Sequence, residues 1–78
     1  MNNRSTVPAN VADYFGLAYH PIVVGEFRYG TGWKRTTYKK RITPSWARKL
    51  AASGVEYVTL SDGLREVDFS TRECASKG

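Results

Sequence analysis

Apolar and polar positions along this chain change their period several times, and each change marks an element. Pro8 to Phe15 places Val11, Tyr14 and Phe15 on one face of a short helix, with Pro8 in its first turn and Gly16 at its end. Pro21 to Tyr29 is rich in Ile, Val, Phe and Tyr and reads as a strand, with Gly25 marking a bulge or a space filled by the Tyr38 ring. Tyr29-Gly30-Thr31-Gly32 reads as a turn, and Trp33 to Ile42 as the returning strand. A loop spanning Tyr29 to Gly32 pairs Arg28 with Trp33, Glu26 with Arg35 and Val23 with Tyr38. That register predicts Val23, Phe27, Tyr38 and Ile42 on a buried face, and Glu26, Arg28, Trp33, Arg35, Thr37, Lys39 and Arg41 on the opposite one.

The segment from Thr43 to Gly54 carries the strongest helix signature. Thr43 can cap, Pro44 fits the first position, Gly54 can close the end, and Trp46, Ala47, Leu50 and Ala51 form the predicted buried stripe. Val55 to Leu60 and Leu64 to Phe69 alternate as strands around Asp62-Gly63, read as a two-residue turn that sets Val58 opposite Val67. Leu60 and Phe69 then share the apolar side, while Tyr57, Thr59, Glu66 and Asp68 take the other.

These elements predict a small single α+β domain in the order short α-β-β-α-β-β. A four-stranded, mainly antiparallel sheet carries one main helix packed on one face. Residues 1–7 read as a flexible leader, 8–70 as the domain and 71–78 as a flexible tail.

Composition narrows the class. Seventy-eight residues suffice for one modest core. A hydrophobic fraction of 41% is too high for a disordered chain, and no apolar run is long enough to span a membrane. The polar N-terminus has no apolar segment of the secretory kind, and a single cysteine, Cys74, cannot pair within the chain, so a reducing cytoplasm is expected. The net charge of +5 is unevenly placed. No acidic residue occurs between Glu26 and Glu56, whereas Arg28, Lys34, Arg35, Lys39, Lys40, Arg41, Arg48 and Lys49 all fall there. A one-sided field of this kind attracts polyanions or an acidic protein surface.

Catalytic chemistry finds little support. His20 precedes Pro21 with no nucleophile or carboxylate near it in sequence, and Cys74 lacks a neighbouring base, so both read as incidental. No Cys/His spacing fits zinc. Asp62, Glu66 and Asp68 are explained more simply by a turn and a solvated strand face than by a divalent cation. The glycine-rich Arg28–Lys34 stretch lacks the helix that would complete a phosphate-binding loop. No enzyme, cofactor, metal site, membrane or small-molecule substrate is therefore expected.

What stands out is Trp33 to Arg41, where rings alternate with cations. Lysine and arginine neutralise phosphates and flat rings stack on bases, although charges on an edge strand also serve to prevent aggregation. The candidate binding residues are Arg28, Tyr29, Trp33, Lys34, Arg35, Lys39, Lys40, Arg41, Arg48 and Lys49. The leading expectation is a basic, non-enzymatic protein that contacts nucleic acid through this hairpin. The alternative is an inhibitor or accessory protein of the phage type. It would dock on a host polymerase, nuclease or defence effector, with Arg28, Tyr29 and Trp33 as its anchor.

Overall fold

The structure, a computed structural model, describes residues 8–16 and 21–76. The elements are α1 (Ala9–Phe15), β1 (Ile22–Arg28), β2 (Gly32–Arg35), α2 (Pro44–Ala52), β3 (Val55–Ser61), β4 (Glu66–Ser70) and α3 (Thr71–Ser76). The expected fold class is observed: a four-stranded antiparallel sheet in the order β2-β1-β3-β4, with helices against one face.

The first hairpin departs from its expected register, and two local features account for the shift. Its loop is one residue shorter. Gly32, at φ +81°, pairs with Arg28, and the Thr31 N–H donates to the Arg28 carbonyl at 3.0 Å. Gly30, at φ +95°, fills the third position of the Arg28–Thr31 turn, where a positive φ favours glycine, and Gly32 follows it as the first paired residue of β2. The observed partners are Phe27 with Trp33, Glu26 with Lys34 and Gly25 with Arg35. The second feature is an irregularity in β1 against β3. Val23 pairs with Leu60 and Gly25 with Thr59, leaving Val24 as the extra residue. One inserted residue inverts the side-chain alternation beyond it. Phe27 therefore joins Trp33 and Arg35 on the open face, while Glu26 and Arg28, expected outside, turn toward the helices. Gly25 is the bulge marker that the sequence indicated. The space above it is limited by Thr59, whose Oγ1 would lie 3.2 Å from an added Cβ, and not by the Tyr38 ring.

The second strand also stops early, at Arg35 instead of Ile42. Beyond it the chain follows β1 through separate contacts, with the N–H of Thr36 donating to the Val24 carbonyl and that of Tyr38 to the Val23 carbonyl. A single bridge joins Arg41 to Ile22.

Helix α2 is built as its sequence indicates. Thr43 Oγ1 accepts the Trp46 N–H at 3.2 Å, Pro44 opens the first turn, and Gly54 follows at φ +101°. Its buried residues are Pro44, Ala47 and Leu50, whereas Trp46 is half-buried and Ala51 is exposed. The expected stripe is thus rotated, because α2 packs on α3 as well as on β3.

In the second hairpin Leu60 pairs with Val67 and Val58 with Phe69, across a loop of Asp62 to Arg65. The Asp62 carboxylate accepts the N–H groups of Leu64 and Arg65 at 2.9 and 2.8 Å, and Gly63 takes φ +99°. Those backbone donors, together with the Arg65 guanidinium, hold the Asp62 carboxyl down to about 2. This loop is two residues longer than expected, so pairing moves by two and both faces keep their expected membership.

Residues 71–76, expected as part of a tail, are helical. The Thr71 hydroxyl lies at 2.8 Å from the Val55 carbonyl and 3.1 Å from that of Glu56, which ties α3 to β3. Cys74 is fully buried with Val11, Phe15, Ile42, Ala47, Leu50, Val58 and Leu60. A thiol behaves there as a small apolar side chain. The expected leader and His20 lie outside the described residues.

Burial, with a smaller contribution from Glu73, pushes the Cys74 thiol from 9.0 up to about 12. A folded-state value above the unfolded one contributes stability that is fully present below about pH 9 and is lost as pH rises toward 12. Stability measured by urea melts should therefore fall across that window, and less so in Cys74→Ala. Reaction of the folded protein with a thiol reagent near neutral pH should be limited by unfolding.

Candidate binding surface

The ten candidate residues do not share one face. Arg28 points toward the helices, where it donates to Glu26 Oε1 at 3.4 Å and to the Ser53 carbonyl at 2.7 Å. The second contact satisfies an unpaired carbonyl at the end of α2. Glu26 is buried, and its other oxygen accepts the Tyr38 hydroxyl. That hydrogen bond, aided by burial, raises the Tyr38 pKa. Arg28 thus belongs to an internal polar network. Arg48 is exposed and donates to the Ala75 carbonyl at 3.3 Å, near the end of α3.

Trp33 and Arg35 lie on the open face of the sheet. Phe27 stands between Trp33 and Tyr57, at centroid distances of 5.1 and 6.0 Å, because the three residues occupy matching positions on adjacent strands. Trp33 is 51% exposed and Tyr57 43%. The Arg35 guanidinium grips both oxygens of Glu66, at 3.1 and 2.7 Å. The pair raises the pKa of Arg35 and lowers that of Glu66. With Glu66 and Asp68 on β4, this face offers polyanions little net attraction. Tyr29 is exposed at the hairpin turn. Lys34 is exposed on the edge strand, where it alternates away from Trp33 and Arg35.

The remaining four cations converge. Lys39, Lys40, Arg41 and Lys49 line a shallow cleft with Thr43, Ser45 and Trp46, between the β2–α2 connection and α2 itself. No carboxylate is among these lining residues. The early end of β2 creates this concavity, since a regular strand would have placed Lys39 and Arg41 on one face and Lys40 on the other. Trp46 forms its wall. Its ring stands edge-on to Tyr38 at 5.0 Å, and Lys40 Nζ lies 5.3 Å from its centroid. Trp46 reads from sequence as core. The available signal for a site role was its position three residues before Lys49, which puts both on one side of the helix.

The carboxylates weighed as cation ligands have protein partners. Asp62 is held by Arg65, Glu66 by Arg35, and Asp68 Oδ1 accepts the Thr59 hydroxyl at 2.8 Å. Among the described residues no group of three or more His, Cys, Asp or Glu is placed to hold a metal. No described helix is long and apolar enough to cross a membrane. No protein-family model, curated protein or solved structure shows significant similarity to this chain.

Proposed function

We propose that this chain is a non-enzymatic nucleic-acid-binding protein that seats a phosphate backbone in the cleft between the β2–α2 connection and α2. One observation carries the reading: four cations and two hydroxyl side chains line a single concavity without a carboxylate among them. Lys39, Lys40, Arg41 and Lys49 neutralise successive phosphates, while the hydroxyls of Thr43 and Ser45 supply short-range donors. The indole of Trp46 is a flat apolar wall for a sugar or base. Contacts of this kind position a backbone and carry little sequence information, so binding is expected to be weakly specific. The proposed setting is the cytoplasm, where the unpaired Cys74 stays reduced.

A second reading, an inhibitor or accessory protein docking on a nucleic-acid-processing complex, is favoured by the exposed rings of Tyr29, Trp33 and Tyr57, residue types that anchor protein interfaces. Affinity purification from the native host, with and without nuclease, separates the two. Nucleic-acid binding yields heterogeneous, nuclease-sensitive recovery. A single stoichiometric partner that survives nuclease overturns the first reading in favour of the second.

A further inference from the structure

The open face of the sheet holds a second cleft, lined by Phe27, Trp33, Tyr57 and Asp68. It is distinct from the basic one and requires neither that cleft's cations nor nucleic acid. Phe27 is its floor. The rings of Trp33 and Tyr57 flank it at interplanar angles of 52° and 65°, so they rise as walls. Asp68 stands at the rim, on the strand beyond Tyr57. Its Oδ1 is occupied by the Thr59 hydroxyl, and among the described residues neither Lys nor Arg forms an ion pair with it. Glu66, its neighbour on the same face of β4, has such a partner in Arg35.

We propose that Phe27, Trp33, Tyr57 and Asp68 form a receptor for an arginine side chain presented by a partner polypeptide. Ring faces attract cations through their quadrupole, and a carboxylate beside them selects positive charge and rejects phosphate. A purely apolar occupant would strip water from Asp68 and return nothing to it. Among cations, guanidinium suits this site best. It is planar, is more weakly hydrated than an ammonium, stacks on an indole and can donate to Asp68 Oδ2 while stacked. Two walls and a floor, open on the remaining sides, match a flat group better than a spherical quaternary ammonium, which needs enclosure on all sides. The asymmetry of the molecule fits the same assignment. Lys39, Lys40, Arg41 and Lys49 line the other cleft, and Arg35 on the open face is held by Glu66, so neither set competes for Asp68.

The test is an NMR titration of the full chain with acetyl-Gly-Arg-Gly-amide and with the counterpart that carries citrulline, which keeps the shape and removes the charge. The arginine peptide should shift the Trp33 indole N–H and the Phe27, Tyr57 and Asp68 signals saturably. Citrulline should weaken binding roughly tenfold, the fold-change of a cation–π contact joined to one charged hydrogen bond. Asp68→Asn keeps an acceptor for Thr59, and should preserve the spectrum of the free protein while weakening arginine binding several-fold. Equal binding of the two peptides, shifts confined to Arg35 and Glu66, or no saturable shift at all would overturn the assignment. The peptide comparison uses the unaltered protein, so it decides even if Asp68→Asn fails to fold.

Discussion

Arg28→Ala should destabilise the protein by about 2–4 kcal/mol, although its sequence context places Arg28 among the binding residues. Two contacts are lost together. Glu26, buried against the helix side of the sheet, loses its cationic partner, and Ser53 at the end of α2 loses the donor to its carbonyl. Breaking the pair from one side leaves the buried Glu26 carboxylate with the Tyr38 hydroxyl but without its cation. Arg28 is itself 40% exposed in its side chain, which keeps the expected cost toward the lower part of that range. For a domain of this size the loss is a large share of total stability, which is on the order of 5–15 kcal/mol. Arg28→Lys retains the charge but cannot reach both acceptors with a planar fork, and should fall between parent and alanine variant. Urea denaturation reads both. An alanine variant as stable as the parent would show that the network contributes nothing, and would return Arg28 to the surface candidates.

The second large effect is functional. Lys39→Glu combined with Lys49→Glu should weaken binding to a labelled oligonucleotide by ~100-fold at low salt, while folding stability changes by about 0.5 kcal/mol or less. Both lysines are exposed and line the same cleft from different elements, one from the β2–α2 connection and one from α2. Reversal removes two phosphate contacts and adds repulsion. Arg35→Glu makes the contrast. It disrupts the grip on Glu66 and sets like charges together, so it should lower stability and leave cleft affinity nearly unchanged. Fluorescence anisotropy with a urea melt of each variant separates these effects. If the Lys39/Lys49 reversal folds and binds like the parent, the cleft is a solvated surface only.

Much of the architecture was legible because its signals are local. Thr43, Pro44 and Gly54 delimit α2 without reference to the rest of the chain. The second hairpin kept its faces, because a two-residue error in pairing preserves a period of two. The first hairpin lost its expected faces for the converse reason. A loop one residue shorter and an extra residue at Val24 each change parity, and whether Gly25 takes a bulge is decided by β3, which lies far away in sequence. The candidate site inherited that error. Arg28, Trp33, Arg35, Lys39 and Arg41 were expected together, and the structure divides them among an internal network, an open aromatic face and a cleft. Helix α3 is hidden in the sequence because Thr71 to Ser76 carries only two small apolar residues, Cys74 and Ala75, and owes its place to their packing against the core and to the Thr71 hydroxyl. The concentration of cations between Glu26 and Glu56 was evident throughout. Which of them converge depended on where β2 ends, a tertiary property.

Salt dependence of nucleic-acid affinity probes the cleft most directly, because each phosphate contact releases counterions. For a duplex bound by Lys39, Lys40, Arg41 and Lys49, log affinity should fall linearly with log salt at a slope of about −3 to −4, or roughly 100-fold between about 50 and 200 mM. In the Lys39/Lys49 double reversal, the slope should shrink to about half of that or less. A parent slope near zero, or one that the reversal leaves unchanged, would contradict binding through this cleft.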